Sequence, residues 1–178
     1  SDEDAAGRPF IGRAGRELRK LIKRTIPDVP VAFANLVGCR PPNDKPTPEQ
    51  IETCWNLYKD EYLDSIQPKV IIGLGEIVLN QHLVCDTQAY AKKIPSVSEA
   101  RRREYRYLRG IPYLATYHPA AVLRSGSGAG VRYSQAIEST LRRAKQIIDS
   151  GSVPLKPQFE SIPPDEWVLS LDFPMVVD

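Results

Sequence analysis

Short apolar runs that end in polar residues are the feature that most constrains this chain. One run covers residues 31–37, carries Asn35, and leads into a segment with a thiol and a second amide. A later run, residues 111–117, is followed directly by His118. Polar groups at the ends of neighbouring parallel strands face the crevice where ligands bind, so we expect the amide and the imidazole to converge there. That combination favours a small planar ligand recognised by hydrogen bonds.

Helical and strand-like segments alternate along the chain, which predicts an α/β sandwich with a mainly parallel sheet. Apolar spacing, prolines and a threonine cap predict helices over residues 13–26, 48–66, 76–83 and 131–149. The predicted strands are 31–37, 69–74, 104–108 and 111–117, and the predicted irregular segments are 86–103 and 125–130. We expect residues 1–150 to form one domain. Residues 151–178, rich in proline and acid, are predicted to be a linker and the start of a further element.

The charge distribution and the cysteine content indicate which partners and which cellular compartment this chain favours. The chain has 178 residues and a net charge of +2, but residues 101–145 alone carry ten Arg or Lys against two Glu. Such a basic segment with interspersed tyrosines is typical of a nucleic-acid surface, although a solvated, salt-bridged face is about as probable on charge alone. Three cysteines do not make a disulfide framework and favour a reducing, cytoplasmic setting. No apolar run approaches the roughly 20 residues of a membrane span.

Four blocks of sequence resemble one known family in order and approximate spacing. They are residues 3–15, 35–43, 70–75 and 116–124, within a resemblance that covers residues 3–149. The chain is similar to the iron–sulfur branch of the uracil-DNA glycosylase superfamily, often called family four. The resemblance implies a three-layer α/β/α sandwich with a four-stranded sheet. In the family the central strand ends in Gly-Glu-Ala-Pro-Gly. This chain starts just after that motif would end, so we expect the central strand and its acidic residue to be missing.

The resemblance also implies a base pocket. His118 would donate a hydrogen bond to a carbonyl oxygen of the departing uracil, where negative charge builds up. Asn35 would read the Watson–Crick edge of the base, and Phe10 would stack on the flipped base. Asparagine and histidine also serve as turn caps or structural residues, and Phe10 fits an ordinary core position equally well.

Further residues carry roles by resemblance only. Asn43 matches a position near the attacking water or the DNA backbone, and Glu3 and Asp4 match the pocket rim. Cys39 and Cys54 match two of the four ligands of a 4Fe-4S cluster, with buried structural cysteines as the alternative.

Two basic or apolar segments are implied to contact DNA. In the family, the loop after the histidine enters the duplex and occupies the gap left by the flipped base, and an arginine-bearing segment lies nearby. The DNA-contacting residues implied here are Arg101, Arg102, Arg103, Val122, Leu123 and Arg124.

The function predicted from these features is excision of uracil from single- or double-stranded DNA by a monomeric repair enzyme, with this chain alone inactive. A second interpretation is a non-catalytic glycosylase-like DNA-binding module fused to a replicative polymerase or exonuclease, because residues 175–178 resemble the opening strand of a 3′–5′ exonuclease. A third is a nucleoside hydrolase, for which aspartate clusters that bind calcium would be expected. The sequence shows no such cluster.

Overall fold

The computed structural model describes residues 9–38, 41, 46–75, 96–101 and 106–151. In these ranges the chain forms five helices and three strands. The helices are α1 (Arg13–Thr25), α2 (Pro48–Ile66), α3 (Val97–Ala100), α4 (Pro119–Arg124) and α5 (Ser127–Ser150). The strands are β1 (Ile71–Leu74), β2 (Arg106–Leu108) and β3 (Ile111–Thr116). The α/β class predicted from the sequence is confirmed at this level.

Local signals set the bounds of the two long N-terminal helices. Thr47 caps α2 by accepting a hydrogen bond from the Gln50 N–H, while the Gln50 side chain accepts one from the Thr47 N–H. This capping box, with Pro48 at the first helical position, fixes the start of the helix. Gln67 ends it in the left-handed conformation. The predicted range 48–66 is therefore confirmed, and α1 differs from its predicted range by one residue.

The sheet has the order β1–β3–β2. β1 and β3 run parallel, with Ile71 opposite Tyr113 and Leu74 opposite Thr116. β2 and β3 form an antiparallel hairpin whose turn places Arg109 and Gly110 at positive φ. The predicted turn at these two residues is confirmed, and β2 covers the described part of the predicted strand 104–108, since residues 104 and 105 lie outside the described ranges.

Three sequence-based element predictions differ from the structure. Residues 31–37 form no strand; residues 31–35 have no regular secondary structure, and no described strand pairs with them. A strand is defined by a hydrogen-bonded neighbour, so apolar content alone did not suffice. The predicted loop 125–130 is shorter in the structure. α4 ends at Arg124 and α5 begins at Ser127, so only residues 125 and 126 connect the two helices. Residues 97–100, predicted to be irregular, form α3. The predicted helix 76–83 and the tail 152–178 lie outside the described residues.

Helices cover the sheet with two main apolar clusters. In the first, Trp55 and Leu63 of α2 pack with Ile71 and Tyr113 of the sheet. In the second, Leu18 and Leu21 of α1 and Ile137 and Leu141 of α5 pack with Leu74 and Phe33. An ion pair between Arg24 and Glu138 also joins α1 to α5. None of the helices in the described ranges is long and apolar enough to cross a membrane.

An apolar cavity of about 630 Å³ lies between β1 and residues 29–33, which form no helix or strand. α1 and α5 complete its walls, with Ile22, Leu141 and Ile148 among the lining side chains. Within the described residues, β1 has a strand partner on one side only. The cavity therefore lies beside the side of β1 that has no partner among the described strands.

Candidate active site

His118 lies where β3 gives way to α4, and the helix fixes its protonation. It is the N-cap of α4, with Pro119 at the first helical position. The Ala120 N–H donates to His118 Nδ1 at 3.1 Å, which satisfies one of the helix's unpaired N–H groups. A ring nitrogen that accepts a hydrogen bond carries no proton, so in the neutral imidazole the proton is on Nε2. The cap thus defines His118 as a donor through Nε2.

The surroundings of His118 keep the imidazole neutral. Burial, and to a lesser degree the positive charge of Arg124, lowers the pKa of His118 to about 4. Both causes disfavour the imidazolium, because burial penalises charge and Arg124 carries a like charge. At neutral pH the site therefore offers a neutral N–H donor.

Phe10 is held beside His118 by its backbone. Its ring centroid is 6.5 Å from that of His118 and 5.6 Å from that of Phe33. Phe10 has φ 59°, a conformation that L-residues with bulky side chains rarely adopt. Gly15 permits it, since a Cβ at this position would lie 1.8 Å from the Phe10 carbonyl oxygen. Backbone strain of this kind is concentrated at functional sites.

Arg19 joins the two phenylalanines on the α1 side of the site. Its guanidinium carbon lies 4.3 Å from the centre of the Phe33 ring, and its Nε donates to the Phe10 carbonyl at 3.5 Å. Asn35 follows Phe33 by two residues and is exposed. Phe10 therefore lies close to both Phe33 and His118, and Asn35 lies on the same short segment as Phe33. Sequence reasoning did not select Phe33 or Arg19, although the Phe33 to Asn35 spacing was a usable signal.

Helix α4 presents the residues predicted to enter DNA. Leu123 is 42% exposed, and Arg124 is exposed beside it. Val122 instead packs against the cluster shared by α1 and α5. Gly130 of α5 approaches this helix closely, because a Cβ there would lie 2.9 Å from the Val122 carbonyl oxygen. α4 is therefore seated on α5 with its outer residues facing outward.

Arg101 is bound into the fold. Its guanidinium carbon lies 5.6 Å from the centre of the Tyr117 ring, and one of its amino groups donates to the Ala136 carbonyl at 3.3 Å. Burial lowers the pKa of Arg101, and its interaction with Tyr117 opposes that effect. Arg102 and Arg103 lie outside the described residues.

The predicted cluster ligands are only partly described. Cys54 is a free, half-buried thiol on α2, and Cys39 lies outside the described ranges. No group of three or more potential metal ligands occurs among the residues that the structure places. Asn43, Glu3 and Asp4 are also outside those ranges.

Comparison with known proteins identifies the class. The family profile described as "Uracil DNA glycosylase superfamily" matches residues 1–142. The chain belongs to this superfamily, as its sequence motifs predicted.

Within the superfamily, the chain is similar to proteins named type-4 uracil-DNA glycosylase. It is 35% identical over 149 residues to the protein of Thermotoga maritima, covering 83% of this chain and 72% of that protein. It is 34% identical over 127 residues to that of Archaeoglobus fulgidus, covering 68% and 61%. It is 31% identical over 160 residues to that of Saccharolobus solfataricus, covering 86% and 69%. The predicted function class, a uracil-DNA glycosylase of the family-four type, is confirmed by these relatives.

The matched part of this chain is shorter than those proteins. It spans between 56% and 72% of the length of five type-4 relatives.

Proposed function

We propose that these residues form the base pocket and part of the DNA surface of an enzyme that hydrolyses the N-glycosidic bond of flipped-out deoxyuridine. The observation that supports this most strongly is the neutral His118, whose Nδ1 accepts from Ala120 so that Nε2 carries the proton. Cleavage moves negative charge onto uracil, and a fixed donor at its carbonyl oxygen lowers the barrier. One such donor typically contributes about 10²–10³ in rate (about 3–4 kcal/mol).

A neutral donor suits this task. Its proton stays on Nε2 while the hydrogen bond strengthens, and no charge has to be buried in the unliganded site. In this mechanism His118 acts by stabilising charge. Water then attacks the sugar carbon from the opposite face and replaces the departing base.

Phe10 and Asn35 are proposed to bind the extruded base. The Phe10 ring is buried next to His118, so it is proposed to form the floor of the pocket, where stacking on an aromatic side chain contributes about 1–3 kcal/mol per base. The exposed Asn35 amide provides both a donor and an acceptor, which matches the Watson–Crick edge of uracil. By resemblance we also propose that Asn43 lies near the water or the backbone, and that Glu3 and Asp4 form the pocket rim.

Leu123 and Arg124 are proposed to contact DNA on the same side. An exposed apolar side chain can fill the gap in the base stack, and a neighbouring arginine can bind phosphate. Val122 packs against the apolar cluster shared by α1 and α5 and thereby holds α4 in place. Arg102 and Arg103 are still proposed to contact DNA. Arg101 is proposed to anchor this arginine segment to the fold through Tyr117 and Ala136.

We further propose that Cys39 and Cys54 are ligands of a 4Fe-4S cluster, which would hold the connecting segments together. Cys54 is a free thiol in the first half of α2. A Cβ at Gly38 would lie 4.0 Å from the Tyr58 ring, one helical turn beyond Cys54, so the segment that leads to Cys39 passes close to this helix. These observations fit two cluster ligands.

The cluster proposal is tested with two serine variants of the full-length protein. Cys54→Ser should remove visible iron–sulfur absorption, because the hydroxyl is a poor substitute for a thiolate ligand. Thr53→Ser, at the exposed neighbouring position on the same helix, is the matched control and should leave the absorption unchanged. Full absorption in Cys54→Ser would show that this thiol only packs.

The finer fold is proposed to be a three-layer sandwich with a four-stranded sheet. The 630 Å³ cavity between β1 and residues 29–33 has the apolar walls that a buried central strand requires. An extended segment there would pair with β1, which no other described strand does on that side, and could convert residues 31–35 into a strand.

A test of the function compares full-length wild type with His118→Asn and Asn35→Ala. Asparagine preserves the cap at residue 118 but does not place a donor where Nε2 lies. Release of uracil from a labelled oligonucleotide should fall by about 100-fold or more in His118→Asn. Wild-type rates in both variants would exclude this site. Tight DNA binding with no uracil release by the wild type would instead support the non-catalytic alternative.

A further inference from the structure

One face of α5 contacts the residues that lead to His118. Tyr133, Ala136 and Thr140 are three and four residues apart, so they lie on the same side of the helix. Opposite them are the last residues of β3 and Tyr117, which precedes His118 directly.

The first contact fixes the end of the strand. The Thr140 hydroxyl lies 3.1 Å from the Ala115 carbonyl oxygen and 3.1 Å from the Ala136 carbonyl oxygen, and it donates to this pair. Thr140 is buried, so this hydrogen bond is shielded from water. β3 is thereby held to α5 three residues before His118.

The second contact fixes Tyr117. Its ring centroid is 4.6 Å from that of Tyr133, with an interplanar angle of 57°. Arg101 lies over the Tyr117 ring and donates to the same Ala136 carbonyl, while Val97 of α3 packs against Tyr117. The tyrosine ring is therefore surrounded by α5, α3 and a guanidinium group.

We propose that Tyr133 is a positioning residue for catalysis, which holds Tyr117 and thereby sets where the His118 imidazole presents its Nε2–H. The inference rests on the proposed role of His118. Tyr133 itself does not touch the base. Neighbouring residues share a rigid peptide plane, so rotation of the Tyr117 backbone moves the start of residue 118.

The expected effect is on rate and not on DNA affinity. A donor must lie about 2.7–3.1 Å from the oxygen that becomes negative, and a displacement of about 1 Å can cost about 100-fold. Binding to DNA depends mainly on phosphate contacts elsewhere and is little affected by such a displacement.

The test uses the full-length protein with Tyr133→Leu, Tyr133→Phe and Gln135→Leu. Phenylalanine keeps the ring, and Gln135 is an exposed position on the same helix that receives the same new leucine. Tyr133→Leu should lower the single-turnover rate of uracil release about 10-fold or more. Its Kd for DNA should stay within about twofold of wild type. Tyr133→Phe and Gln135→Leu should match wild type in both.

A second readout does not require activity. The imidazole resonances of His118, observed by NMR in uniformly ¹⁵N-labelled protein, should shift in Tyr133→Leu and stay unchanged in the two controls. An unchanged rate in Tyr133→Leu, or a lowered rate with unchanged imidazole resonances, would overturn the proposal. An equal loss in Tyr133→Phe would do so too, because it would implicate the hydroxyl group.

Two further outcomes separate this proposal from the function. If the wild type released no uracil, the proposed function would fail, and the imidazole resonances alone would decide whether Tyr133 positions His118. If Tyr133→Leu did not fold, Tyr133→Met would replace it, since its longer chain fills more of the space and still lacks a ring.

Discussion

At the scale of single residues, three features of the fold favour the neutral imidazole of His118. A histidine near an arginine and away from water does not hold a proton well, and the α4 cap engages the nitrogen that would receive one. The same contacts link His118 to the pH dependence of stability. The direction of that dependence follows from the pKa of His118 in the folded protein and in the unfolded chain.

The pKa of His118 is about 4 in the folded protein and 6.5 for the ordinary group. Between these values the unfolded chain binds more protons, so stability should rise with pH from about 4 to 6.5 and be lost as pH falls through that window. Across this window the protonation of His118 changes the free energy of unfolding by at most about 3 kcal/mol. Urea unfolding at several pH values should show a smaller pH dependence for His118→Asn, which keeps the cap but does not titrate. Parallel curves for the two proteins would contradict the lowered pKa, since carboxylates titrate equally in both.

At the scale of elements, α4 combines a fixed inner side and an exposed outer side. Val122 and the close approach of Gly130 seat it on α5, while Leu123 faces outward. A short helix held in this way can meet DNA without first becoming ordered.

Leu123→Ala should therefore impair uracil release from duplex DNA more than from single strands, by about tenfold in the ratio of rates. The reason is that only a duplex loses pairing and stacking when the base is extruded. Rates on matched duplex and single-stranded oligonucleotides give this ratio directly. Leu57→Ala, at an exposed leucine on α2, is the matched control. A similar loss on both substrates would show that Leu123 supports the fold instead.

Arg124→Ala should lower the salt dependence of DNA binding by about one in the slope of log K against log salt, because one phosphate contact is lost. The pKa of His118 should rise at the same time, since the positive charge of Arg124 is one cause that lowers it. Fluorescence anisotropy over a salt series measures the first effect, and NMR titration measures the second. Lys145→Ala is a control, because Lys145 pairs with Asp149 near the end of α5. An unchanged slope would remove Arg124 from the DNA surface.

The sequence predicted the elements whose signals are local. Thr47, Pro48 and Gln50 define the start of α2 within four residues, and the structure agrees. The segment 31–37 was predicted wrongly because a strand needs a partner that apolar content does not reveal. In the candidate site, His118 could be selected from its place after an apolar run. Tyr133 could not, because its role comes from a ring contact with Tyr117, which lies on another element of the fold.

At the scale of the whole molecule, the cavity beside β1 brings apolar side chains next to a strand edge that has no partner among the described strands. Strand edges without a partner pair readily with other chains. Val31 lines the same cavity from the segment opposite β1 and is 37% exposed.

The 178-residue chain on its own should therefore self-associate at micromolar concentration. Val31→Lys should reduce that association, since a charge in the apolar cavity beside β1 opposes the entry of a strand from another chain. Sedimentation velocity over a concentration series measures the effect. Leu57→Lys, which adds the same charge at an exposed position on α2, is the matched control. A strictly monomeric wild-type chain at all concentrations would show that the edge is already protected.

The close approach of Gly15 to Phe10 limits which mutations of the gene can persist. Every missense change of a glycine codon introduces a Cβ, and at residue 15 that atom would overlap the Phe10 carbonyl group. At Gly126 and Gly128 an added Cβ meets nothing within 4 Å. Substitutions should therefore be tolerated among descendants of this gene at Gly126 and Gly128, and should be absent at Gly15.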